Sequence, residues 1–248
     1  MNFSKNGAIG VIRIQEEDGW SGSDVSNVAA SLADACTHIA EDGDLRVLVV
    51  FFTGSKRLKA DDFSYESFEQ LDLQGSIVEK IAGFYIPTII GMDGYVIGQF
   101  LELALAFDIR FATPHSYFGF PEINAGRIPY NGGTQRLPRL VGKGRAIEMM
   151  LTGEMIDSES AHRMNLVHRI LAHDDLHSAV MHLSQEMAVK SPTSLAYVKE
   201  AINKGMDLSL EQGLRLEADL YFLMHTTNDR REGINAFKEK RKPIFEGN

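Results

Sequence analysis

The sequence predicts an α/β fold with a helical C-terminal part. Two observations carry this. Up to about Leu171, short apolar runs alternate with segments of helical period, the layout of a sheet flanked by helices. Beyond Leu171 only helical patterns remain. Leu45–Phe52 is the strongest strand pattern in the chain, and Pro87–Met92 is a short buried one.

Taken in order, Ala8–Ile14 alternates as a strand does. Gln15–Asp24 is polar and Gly-rich around Trp20 and reads as a loop. Ser23 or Asp24 is placed to cap a helix Val25–Glu41, in which Val28, Leu32, Ala35 and Ile39 keep helical spacing. Thr53–Lys59 is a basic loop, Asp61–Leu73 is acidic and aromatic, and Gln74–Phe84 is helical. Gly94 and Gly98 bracket a sharp turn into an apolar helix, Gln99–Phe107. A Gly/Pro-rich loop over 128–133 leads to another helix start. Helices then follow over Lys143–Leu151, Ser158–Met164, Asp174–Val189, Pro192–Lys204, Leu208–His225 and Asp229–Lys240, with a short strand around Leu166–Leu171.

Composition narrows the function. With 248 residues the chain has ample length for a buried core, as one large or two small domains. A formal charge of −9 argues against a nucleic-acid backbone or an anionic membrane as partner. The single cysteine, Cys36, excludes an intrachain disulfide and a cysteine-cluster metal site, and fits a reducing cytoplasm. Met1–Val11 lacks a basic segment followed by a long apolar one, and no apolar run approaches eighteen residues. No signal peptide and no membrane span are therefore expected.

The chemistry-bearing stretch is Gly94-Tyr95-Val96-Ile97-Gly98-Gln99-Phe100-Leu101-Glu102. Residues three apart share a helix face, so the start of the helix at Gln99 and the carboxylate of Glu102 address the same space. Amides at a helix N-terminus favour negative charge. A donor for an oxyanion beside a carboxylate suits acid/base work on a carbonyl compound. A second carboxylate, Glu122, follows twenty residues later, in Phe118-Gly119-Phe120-Pro121-Glu122-Ile123.

Gly94–Ala104, Asp108–Ala112 and Phe118–Leu137 together resemble the enoyl-CoA hydratase/isomerase (crotonase) family. The match is in its G-x-x-x-G-G-G-x-E-L-A, D-I-R-x-A and F-x-x-P-E-x-x-x-G-x-x-P-x-x-G-G-T-Q-R-L segments, in the same order and spacing. The resemblance implies a spiral of ββα units and a C-terminal helical region that packs in trimers, commonly dimers of trimers. On that basis residues 1–190 form the spiral core and 191–248 the helical trimerisation region.

The same resemblance implies roles. Oxyanion donors are the backbone amides of Asp61 and Gln99. Glu102 matches the glutamate that activates water, and Glu122 the one that exchanges a proton with the substrate Cα. For CoA, the basic cluster Lys56, Arg57 and Lys59 with Ala60 lies before the oxyanion loop. Phe237 and Lys240 match the tail residues that reach the CoA of a neighbouring subunit. Asp108 is expected to be structural, and His162 and His168 to pack or lie on the surface.

Several positions depart from the family pattern. The early N-R-P segment is missing, Gln99-Phe100 stands for Gly-Gly, Tyr130 for a glycine, and Asp61 for a small residue. These changes imply an acyl pocket that is more crowded, more polar or rearranged, and Tyr130 joins the substrate-binding candidates. The implied function is a hydratase-like lyase that adds water to an α,β-unsaturated acyl thioester or removes it, as in fatty acid metabolism. The alternatives are an isomerase, or a decarboxylase or hydrolase, on a cyclic, branched or carrier-bound acyl group. A non-catalytic binding protein of the same fold is a further alternative. No metal is expected, nor any cofactor beyond the CoA of the substrate.

Overall fold

A computed structural model describes residues 2–15, 22–54 and 77–248, and within 22–29 the helical backbone alone. The expectations for the Trp20 loop, the basic loop after residue 54 and the acidic, aromatic stretch lie outside the described residues.

The chain opens with an antiparallel pair, β1 (Asn2–Asn6) and β2 (Ile9–Gln15). α1 (Gly22–Glu41) leads to β3 (Val47–Thr53), and α2 (Ile77–Ala82) to β4 (Thr88–Asp93). β5 (Tyr95–Ile97), α3 (Gln99–Ala104), β6 (Ile109–Ala112) and β7 (Tyr117–Gly119) follow. A 3-10 turn, Pro121–Ala125, precedes α4 (Gly133–Val141) and α5 (Lys143–Thr152). After them come β8 (Ile156–Asp157), α6 (Ser158–Arg163) and β9 (Arg169–Ile170). α7 (His173–Ala188), α8 (Pro192–Gly205), α9 (Leu210–Met224) and α10 (Asn228–Glu239) complete the chain.

The strands form two sheets, β1-β2-β3-β4-β6-β9 and β5-β7-β8. From β2 to β9 the larger sheet is parallel. Successive turns of the chain give β4 to the larger sheet and β5 to the smaller, then β6 to the larger and β7 to the smaller. This is how ββα units wind as a spiral.

Side chains alternate across the sheet with period two. Ile12, Ile14, Leu48, Val50, Phe52, Ile90 and Met92 meet α1, α2 and α3 through Leu32, Ile81 and Leu101. On the opposite face, Val11, Val47, Val49, Ile89 and Phe111 meet α7 through Leu176, Val180 and Met181. Burying each such side chain contributes about 1.5–3 kcal/mol. β3 and β4 are covered on both sides, which is why they read in the sequence as near-continuous apolar runs.

Some expectations need correction. α1 starts at Gly22, so Ser23 and Asp24 lie in its first turn and not before it. The apolar helix ends at Ala104, because Leu105–Asp108 turns to bring Ile109 back beside β4. β1 is mostly polar and wholly exposed, so no apolar alternation announces it. β5, β7 and β8 are two- or three-residue strands held by pairing with one another, too short for a periodic signal.

The helical C-terminal part is tied to the sheet by polar contacts. Lys199 of α8 reaches Asp108 at 2.8 Å and the Ile86 carbonyl at 3.1 Å. Asp108 in turn accepts the Thr88 amide at 2.8 Å, which gives it the structural role expected of it. His168 Nδ1 accepts the Arg110 amide at 3.1 Å, and His162 Nδ1 meets the Val167 carbonyl at 2.9 Å, so both histidines pack locally. α9 opens with a reciprocal cap between Ser209 and Gln212.

Candidate active site

The site forms where β5 gives way to α3. Gly98 is the pivot. Its amide donates to the Gly119 carbonyl of β7 at 3.0 Å, and its carbonyl accepts the Glu102 amide at 3.0 Å. Its φ of 56° belongs to the left-handed region, which glycine enters without strain. The turn at Gly98 makes Gln99 the first residue of α3. Its amide stands at the positive end of the helix dipole.

Glu102 sits in the first turn of α3 and is only 1% exposed. The Gly133 amide, at the start of α4, donates to its Oε1 at 2.7 Å. Burial pushes the Glu102 carboxyl above the ordinary carboxylate range. The Gly133, Asn131 and Tyr130 amides and the Arg136 charge pull it back. A buried carboxylate held by backbone donors keeps a fixed orientation and stays able to take up a proton.

Glu122 arrives from another direction, on the 3-10 turn after β7. Pro121 starts that turn with a preset φ, and Gly126 closes it in the left-handed conformation. Glu122 is half-buried, and a Cβ on Gly98 would lie 2.9 Å from its Oε1. Burial, with the Glu102 charge adding to it, pushes the Glu122 carboxyl up to about 7. One carboxyl oxygen of each glutamate, Oε2 in both, is buried without a hydrogen-bond partner among the described residues. Together the two groups can hold a proton and accept one at neutral pH.

The structure thus brings together Glu102, Glu122 and the head of α3 at Gln99. Phe100 is 6% exposed and packs on Phe52 with ring centroids 4.6 Å apart, so its ring belongs to the core beneath α3. Tyr130 lies on the loop that supplies donors to Glu102, and its side chain is 55% exposed. Phe237 is 85% exposed near the end of α10, and Lys240 caps that helix in the left-handed conformation. Lys56, Arg57, Lys59, Ala60 and Asp61 fall outside the described residues, and with them the second oxyanion donor. The sequence reading passed over Gly133, Asn131 and Arg136 as parts of the Glu102 environment. The available signal was their place in or beside the Gly/Pro-rich loop and the G-G-T-Q-R-L segment, which does not show what the loop folds against.

A spiral of ββα units followed by a helical C-terminal part is the arrangement of the crotonase fold. The chain superposes on an enoyl-CoA hydratase from Bacillus anthracis with a TM-score of 0.86 at 29% identity, covering 100% of both chains. An enoyl-CoA hydratase from Mycobacterium marinum gives a TM-score of 0.86 at 26% identity, over 100% of this chain and 98% of that one. The chain belongs to the enoyl-CoA hydratase/isomerase family, whose model matches residues 60–248.

Among its relatives, the mitochondrial enoyl-CoA hydratase domain-containing protein 2 of Mus musculus is 36% identical over 238 residues, 90% of this chain and 80% of the relative. The 2,3-dehydroadipyl-CoA hydratase of Escherichia coli K12 is 35% identical over 211 residues, 82% of this chain and 83% of the relative. Family membership supports an enzyme acting on an acyl-CoA. Among the described residues no helix is long and apolar enough to cross a membrane.

Proposed function

We propose that the protein is a hydro-lyase that adds water to an α,β-unsaturated acyl-CoA, or removes it in reverse. The observation that carries this reading is the pairing of two glutamates, buried Glu102 from α3 and half-buried Glu122 from the 3-10 turn, beside the Gly98–Gln99 turn. Double-bond migration needs one proton carrier. Water addition needs two, one for the water and one for Cα.

In the proposed reaction the thioester carbonyl oxygen lies against the Gln99 amide, with the Asp61 amide as the second donor. Glu102 takes a proton from water as its oxygen bonds to Cβ. The π electrons move onto the carbonyl oxygen as an enolate, which preorganised amides stabilise by several kcal/mol. The enolate then collapses as Glu122 gives its proton to Cα. Glu102 ends protonated and Glu122 ionised, and proton exchange with solvent resets the pair. The Glu122 carboxyl at about 7 suits this donor role at neutral pH.

Lys56, Arg57, Lys59 and Ala60 are assigned to the CoA moiety, Tyr130 to the acyl side, and Phe237 with Lys240 to the CoA of a neighbouring protomer in a trimer or hexamer. A cytoplasmic setting fits the single, buried Cys36.

The reading is tested by following the conjugated absorbance of a panel of straight, branched, cyclic and carrier-bound enoyl thioesters. Loss of the band with formation of a 3-hydroxyacyl product is expected for at least one. Migration of the double bond without water uptake would replace the hydratase with an isomerase. No reaction and no CoA binding by calorimetry would leave a binding protein.

A further inference from the structure

We propose that Arg136 is a positioning residue of this site: its guanidinium locks the turn over residues 130–133 against the Glu102 carboxylate and supplies the positive charge that faces it. The inference concerns the residue beneath the proposed hydratase chemistry, and it rests on that reading only for its kinetic consequence.

Three observations converge on Arg136. Its Nη1 donates to the Asn131 carbonyl at 3.0 Å, from one turn into α4 back onto the loop before it. The guanidinium occupies the place where a side chain at 132 would stand, since a Cβ on Gly132 would lie 2.0 Å from Nη1. Gly132 has a φ of 98°, so the bare, left-handed residue is what admits the guanidinium to this position. The third observation is the turn's cargo. The Gly133 amide holds Glu102 Oε1 at 2.7 Å, and Asn131, clamped by Arg136, is itself 9% exposed.

A carboxylate that is 1% exposed is costly to ionise unless donors and a positive charge compensate. Among the described residues, the charges acting on or from Glu102 are Arg136 of α4 and Glu122 of the 3-10 turn. They act in opposite senses. Glu122 favours a protonated Glu102, and Arg136 favours the ionised form that water activation requires. The guanidinium reaches this place by lying over Gly132 while it donates to the Asn131 carbonyl. Arg136 touches neither substrate nor reacting atoms in this scheme; it acts through the turn and through Glu102.

The test is a carbon-13 titration of the glutamate side-chain carboxyls in the whole protein, the Glu102 resonance being identified by its loss in Glu102→Gln. Arg136→Gln keeps a donor for the Asn131 carbonyl but removes the charge, and should raise the Glu102 midpoint by about one pH unit or more. Arg136→Lys should return it most of the way. With an active enzyme, the acid limb of the water-addition rate should move up by the same amount in Arg136→Gln, with KM little changed. An unmoved Glu102 midpoint in Arg136→Gln, or one that Arg136→Lys fails to bring back, overturns the proposal. A wild-type protein that adds no water would overturn the hydratase reading instead, while the carboxyl titration would still report on Arg136.

Discussion

Glu122 rests against Gly98. A Cβ built on Gly98 would lie 2.9 Å from the Glu122 Oε1 atom and 3.6 Å from its carboxyl carbon. The residue that turns the chain into α3 therefore also sets the distance between the head of that helix and the second carboxylate.

Gly98→Ala tests this relationship. The new methyl meets the Glu122 carboxyl, and the left-handed φ adds strain of about 1 kcal/mol or more. We expect a folded protein destabilised by about 1–3 kcal/mol in urea unfolding and slowed at least tenfold in turnover. Unchanged turnover would show that the Gly98–Glu122 contact does not govern the site.

Glu122→Gln should keep the fold and CoA binding and lose about two to four powers of ten in turnover, the usual scale for a general acid or base. The same variant carries a pH signature. The folded-state carboxyl, at about 7, lies above its ordinary value of 4.5. Between these values the folded protein binds more protons at Glu122 than the unfolded chain does. The contribution of Glu122 to stability is therefore fully present below about pH 4.5 and is lost as pH rises through about 7. Urea unfolding across this range should show a decline with pH in the wild type that is shallower in Glu122→Gln. Equal slopes would place the shifted group elsewhere.

Glu102→Ala separates hydration from proton exchange. Water addition should disappear, since no base remains beside the water. Deuterium uptake at Cα should persist through Glu122. Running both assays on one unsaturated thioester decides the matter: full hydration by the variant would make Glu102 a packing residue. A loss of far less than tenfold, under about 1.4 kcal/mol in the barrier, is the outcome an isomerase would give. Tyr130→Phe, run alongside, reports whether the exposed phenol holds the water.

The C-terminal helices predict a trimer or hexamer. Leu214, Phe222, Leu223 and Phe237 are exposed in the single chain, at 56%, 67%, 49% and 85%, and an apolar face of this kind marks an interaction surface. Leu220, expected on the same face, is instead 7% exposed and packs within the chain. Light scattering at micromolar concentration should give three or six times the chain mass of 27.6 kDa. A monomer would contradict the assembly and the proposed reach of Phe237 and Lys240 into a neighbour.

The sequence by itself determined the α/β class, the buried strands β3 and β4 and the order of the helices from α5 onward, and it singled out two candidate glutamates. These are local facts: an apolar run or a helical period is written in consecutive residues, and Glu102 and Glu122 stand in motifs of fixed spacing. Only the tertiary structure decided what surrounds them. Gly133 lies thirty-one residues from the carboxylate it holds, and Glu122 twenty-four from the Gly98 it touches, so no periodicity joins these pairs. That Phe100 packs in the core is likewise a tertiary fact. The turn of α3 that points Glu102 toward the amides of the 130–133 loop also points Phe100 toward Phe52. Burial and the neighbourhood of charge are properties of the folded surroundings. They alone push the Glu122 carboxyl up to about 7 and make two ordinary glutamates into a candidate acid and base.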